Sequence, residues 1–117
     1  MQIDIQARNF LLTATLRSHA RRRLRYARDR HEDHILRIVM RLSDINGPRG
    51  GADKRCHLQV VLRGLPDVVI EDTEPDLYAA IDRATDRAGR AVTRRIDRHR
   101  NLLKYNHPTE SKFQQSV

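Results

Sequence analysis

Cys56-His57-Leu58-Gln59-Val60-Val61-Leu62-Arg63-Gly64-Leu65-Pro66-Asp67-Val68-Val69-Ile70 reads as a strand, a tight turn and a second, short strand. Cys56, Leu58, Val60 and Leu62 fall on one side, with Arg55, His57, Gln59 and Arg63 on the other. That period of two belongs to a sheet with one buried and one wet face. Upstream, Ser43 to Gly51 is dense in turn formers and reads as a flexible connection. Before it, Ile35 to Leu42 is a β-branched-rich strand, separated by the break His31-Glu32-Asp33-His34 from a helix ending near Arg30. Leu16, Ala20, Leu24 and Ala27 supply that helix's apolar stripe, and Thr13 is its N-cap. Ile3, Ile5 and Ala7 alternate with polar residues in a first strand.

Downstream, Thr73 and Asp76 have capping-box spacing and Pro75 suits a first helical turn, so a second helix is expected to start near Glu74. Leu77, Ile81, Ala84, Ala88, Val92 and Ile96 form its buried stripe, locally weakened by Gly89. The order β-α-β-β-β-α, with one apolar side per element, implies an α+β fold: a four-stranded sheet with both helices on one face. Arg95 falls on the core side of the second helix, so either the helix outruns the sheet there or the side chain snorkels. Residues 1–100 are expected to form the domain and residues 101–117 a flexible tail.

The chain has 117 residues, enough for one modest core, with 23 Lys+Arg against 15 Asp+Glu and a net charge of +8. Its pI near 10.7 favours a polyanionic partner. With no apolar run of spanning length and no signal-peptide pattern at the start, the expectation is a cytoplasmic protein with no membrane partner. Cys56 is the sole cysteine, so no internal disulfide forms, and its apolar setting suits a buried thiol.

The second helix carries Arg83, Arg87, Arg90, Arg94 and Arg98. At 3.6 residues per turn they fall within an arc of roughly 80°, with Asp82, Asp86 and Asp97 on a separate arc beside it. Most charge runs are simply solvated faces, but sorting by sign is the footprint of a surface for phosphates. The first helix adds Arg17, Arg21, Arg22, Arg23, Arg25, Arg28 and Arg30. Arginine suits phosphate because its planar fork donates two hydrogen bonds and can stack on a base. Aromatic residues are too scarce for a single-strand reader of the stacking type.

Catalysis has little support. His31 and His34 bracket two acids without a third ligand, and Gly47 to Lys54 lacks the phosphate-loop pattern and precedes a strand. Cys56 has no adjacent base. No enzyme activity, catalytic residue, metal, cofactor or small-molecule substrate is expected.

Asp76-Leu77-Tyr78-Ala79-Ala80-Ile81-Asp82, continued by Arg87, Arg90, Arg94 and Arg98, resembles the second helix of the bacterial ribosome hibernation-promoting factor and ribosome-associated inhibitor family. Met1-Gln2-Ile3-Asp4-Ile5, Leu12-Thr13 and Leu16-Arg17 are similar to its first strand and helix start. The resemblance implies a domain related in shape to double-stranded-RNA-binding domains. It would sit on the small ribosomal subunit near the decoding centre, block mRNA and tRNA, and inhibit translation in stationary phase or stress. It assigns rRNA contacts to Arg23, Arg87, Arg90, Arg94 and Arg98, with Arg22, Arg83 and Tyr26 as possible additions. Tyr26 stands where relatives often carry lysine and offers a ring to stack on a base; Tyr78 is expected to pack on the sheet. Ending at Val117, the chain looks like a short form without the second domain of long family members. Two other readings stand beside this one: a protein-binding modulator of sigma-54-dependent transcription, and a general double-stranded-RNA binder.

Overall fold

The computed structural model describes residues 2–45 and 53–105. Six elements follow in order: β1 (Gln2–Arg8), α1 (Ala14–Arg30), β2 (Ile35–Asp44), β3 (Lys54–Leu62), β4 (Val68–Glu74) and α2 (Leu77–Tyr105). The strands form one sheet in the order β1-β2-β3-β4. β1 and β2 are parallel, with Ile5 opposite Met40, and α1 is the crossover that such a pair requires. The other pairs are antiparallel, placing Met40 beside Leu58 and Leu58 beside Ile70.

That register aligns Ile5, Met40, Leu58 and their neighbours on one face, where the apolar stripes of both helices cover them. Leu24, Ile38, Met40, Leu42, Leu58 and Ile81 are at most 1% exposed. Each such side chain contributes about 1.5–3 kcal/mol through burial. A bulge between Ile35 and Arg37 keeps Ile35 buried while Leu36 turns outward. Thr13 caps α1, its Oγ1 accepting from the Leu16 amide at 3.2 Å. Gly64 closes the β3–β4 turn at φ +70°, a left-handed conformation that costs glycine nothing.

α2 begins later than the Thr73–Asp76 spacing implies. β4 continues through Glu74, and Thr73 pairs with Arg55 in the ladder instead of capping a helix. Asp76 is the cap: its Oδ2 accepts from the Ala79 amide at 3.1 Å, and Pro75 precedes it. The strand persists because its alternation places Asp72 and Glu74 on the helix side, where α2 arginines meet them. At the other end, residues 101–105, expected in the tail, are helical. Among the α2 residues whose burial is described, Ile96 is the last buried one and 97–103 are exposed, so the helix overhangs the sheet there. Arg95 snorkels as well, donating from Nη1 to the carbonyls of Pro66 and Asp67 across the β3–β4 turn. Most of the turn-rich connection, residues 46–52, and the tail beyond 105 lie outside the described residues.

Candidate nucleic-acid interface

α1 and α2 run parallel over the sheet, as three successive contacts show. His19 Nε2 meets Asp82 Oδ1 at 2.7 Å, Arg23 reaches Asp86 Oδ1 at 2.6 Å, and His31 Nε2 lies 2.9 Å from Thr93 Oγ1. Arg23 also contacts Asp82, with Nε 3.3 Å from its carboxylate and Nη2 donating to its carbonyl. Asp82 and Asp86 of the acidic arc therefore form the seam between the helices, and Arg23 is its rivet. Tyr78 packs edge-on against His19 of α1 with ring centroids 5.0 Å apart, so it joins this seam and does not lie on the sheet as expected.

The arginine crest of α2 divides in two. α2 returns antiparallel along β4: Arg83 meets Glu74 at 3.0 Å, Arg87 bonds the Asp72 carboxylate at 3.1 Å and the Glu71 carbonyl at 2.9 Å, and Arg95 reaches Asp67. Arg83 and Arg87 are thus held in internal ion pairs. Beyond Glu71, β4 has only Val68-Val69-Ile70 to offer, and Arg90, Arg94 and Arg98 are exposed with no ion pair among the described residues.

Arg90 and Arg94 rise beside a groove of about 450 Å³ between the helices. Arg23, Arg30 and Tyr26 line its α1 side. Gly89 keeps the floor low, since a Cβ there would meet nothing within 4 Å. Tyr26 is 66% exposed. Asp86, the groove's carboxylate, is already taken by Arg23, so the remaining guanidiniums present unneutralised positive charge. Arg22 is exposed on α1. Arg17 and Arg25 are exposed too, and Arg28 is tied to Asp29 at 3.2 Å.

In the sequence Arg30 is one basic residue among many. Its place in the groove follows from the parallel helix packing, which brings the C-terminal end of α1 alongside Gly89 and Thr93. His31 sits in the same region, and burial, then the neighbouring Arg30, holds its imidazole below the usual 6.5. Among the described residues no group of three or more His, Cys, Asp or Glu is placed to hold a metal. Cys56 is fully buried, and burial pushes its thiol up to about 12, which keeps it un-ionised at neutral pH. No described helix is long and apolar enough to cross a membrane.

Against known proteins, the family model described as Sigma 54 modulation protein / S30EA ribosomal protein matches residues 3–100. The crystal structure of the Thermus thermophilus Protein Y N-terminal domain is 36% identical, with a TM-score of 0.67 over 80% of this chain and 98% of that one. A ribosomal subunit interface protein from Coxiella burnetii, 18% identical, shares the fold at a TM-score of 0.69 over 80% and 96% of the two chains. No match is found among curated proteins. With its β-α-β-β-β-α domain matched almost end to end, the chain belongs to the Sigma 54 modulation protein / S30EA ribosomal protein family.

Proposed function

We propose that this protein is a cytoplasmic ribosome hibernation factor. It binds rRNA of the small ribosomal subunit near the decoding centre, excludes mRNA and tRNA, and so inhibits translation in stationary phase or stress. The observation that carries the reading is the crest Arg90, Arg94 and Arg98, without an ion pair among the described residues and with Arg90 and Arg94 lining the basic groove, in a chain of this family. Arg90, Arg94 and Arg98 neutralise backbone phosphates, and the released counterions supply much of the affinity. Arg23 and Arg87 contribute the exposed edges of guanidiniums anchored by acids, which fixes their direction before RNA arrives. Arg22, Arg83 and Tyr26 flank the contact, the tyrosine offering a face to an unpaired base. The protein performs no chemistry: occupancy of the channel is the whole mechanism, and the pocket's fixed shape replaces sequence readout.

Co-sedimentation with purified small subunits over a salt series tests this. Binding should fall steeply with salt, and initiator tRNA or mRNA should compete. Failure to co-sediment at low salt would overturn the reading. The family's description also names sigma-54 modulation, which favours a protein partner as the second reading. An acidic protein could bind the same arginines, and competition by bulk rRNA separates the two. A general duplex binder would bind naked double-stranded RNA as tightly as intact subunits.

A further inference from the structure

The sheet has a second face, away from both helices, and its charge is unevenly distributed. At one end Arg37 is neutralised by Asp4 at 3.0 Å and Gln59 donates to Asp67 at 2.7 Å. At the other, the strand register places Arg8, Ser43, Arg55 and Thr73 in one row across the four strands, and Gln6, Arg41, His57 and Glu71 in the next. Arg8, Arg41 and Arg55 thus stand on three adjacent strands, a cluster about 10 Å across. They surround a concavity of about 280 Å³.

Among the described residues Glu71 is the sole acid lining that concavity. His57 Nδ1 approaches it at 3.3 Å, and Arg55 Nε stands 3.9 Å away. Arg55 Nε is itself buried without a hydrogen-bond partner, although the side chain as a whole is 42% exposed. Arg8 and Arg41 are exposed and make no ion pair among the described residues. Asp44 and Asp53, the next carboxylates along, are bridged by Lys54 at 3.1 and 3.0 Å. Three guanidiniums against one shared carboxylate leave a net positive hollow, which an anionic ligand would neutralise.

We propose that Arg8, Arg41 and Arg55 form a second phosphate-binding site on the open face of the sheet, which takes the phosphodiester backbone of an RNA strand. The identification of the ligand as RNA rests on the ribosomal reading above; the site itself does not. The described residues of this face include no Phe, Tyr or Trp, and His57, the one ring beside the hollow, is engaged by Glu71, so contact is to backbone and not by stacking. The domain then lies between two RNA segments, one against the helices and one against the sheet, and becomes a wedge that neither segment can shed alone.

The test uses the full chain, a fluorescent 12-nucleotide oligouridylate, and two variants: Arg8→Ala with Arg41→Ala, and Arg90→Ala with Arg94→Ala and Arg98→Ala. The helix-face variant should still bind the oligonucleotide and show amide shifts along β1–β3, whereas the sheet-face variant should lose those shifts with an unchanged melting temperature. On small subunits, the sheet-face variant should lower the logarithmic salt slope by about 2, one for each phosphate no longer neutralised. Amide shifts confined to the helices would overturn the proposal and leave the ribosomal reading intact. Equal shifts with inorganic phosphate, or tighter binding of polyglutamate than of the oligonucleotide, would overturn the RNA assignment. If the wild-type chain ignores small subunits yet retains sheet-face oligonucleotide binding, the ribosomal reading fails and the site stands.

Discussion

The two halves of the α2 crest have the same residue, the same spacing and opposite fates. Arg83 and Arg87 lie over the acidic end of β4 and are absorbed by Glu74, Asp72 and the Glu71 carbonyl. Arg90 and Arg94 lie beyond that acidic end, where the strand is Val68-Val69-Ile70, and have no ion pair among the described residues. A periodic basic stripe is therefore not one functional unit. The strand beneath the helix decides which turns hold the fold together and which face outward.

The largest expected effect comes from removing the outward half. Arg90→Ala, Arg94→Ala and Arg98→Ala together should lower the salt slope of small-subunit binding by about 3. The melting temperature should stay within the shift expected for about 0.5 kcal/mol, as for surface changes without partners. A large loss of stability would break the comparison. The inward half should behave in reverse. Arg87→Ala leaves Asp72, only 11% exposed, without its nearest cation, and should cost about 1 kcal/mol, or about 4–8 °C in melting temperature. The matched Arg94→Ala should not move the melting temperature.

At the junction of the halves, Gly89→Ala fills open space in a helix interior and should stabilise the protein by about 0.5–1 kcal/mol, read by thermal denaturation. The smallest effect concerns His31, which bonds Thr93 beside the outward half. Its imidazole is held below 6.5 in the fold, so the unfolded chain takes up a proton first as pH falls. Stability attributable to His31 should therefore be intact above pH 6.5 and decline below it. The melting temperature should fall more between about pH 7.5 and about pH 5.5 than in His31→Gln. A parallel decline in both proteins would remove His31 from the account.

Much of the fold was legible because each element carries one clean periodicity. Alternation in Cys56–Leu62 and the helical stripes of Leu16–Leu24 and Leu77–Ile96 all meet in one core, as their patterns require. The start of α2 is not legible locally, because Thr73 and Asp76 have capping-box spacing, while Asp72 and Glu74 are needed in a strand to meet arginines nine or more residues away. Local spacing does not register such a demand. The crest was legible as a pattern, but its division was not, because pairing depends on how α2 lies along β4. The open-face cluster was less legible still: Arg8, Arg41 and Arg55 are distant in sequence and meet only through strand register.

The overhanging end of α2 has an energetic corollary. From Asp97 to Leu103 the helix has no core beneath it, and the crest that leads into this stretch sets Arg90, Arg94 and Arg98 four residues apart, so like charges repel along one edge by about 0.2–0.5 kcal/mol per pair. A helical stretch of that length is marginal without packing to support it. A polyanion bound along this edge, as proposed, would quench that repulsion and favour the helical form of the last turns. Helix order at the end of α2 and neutralisation of its arginines would then be coupled, each favouring the other.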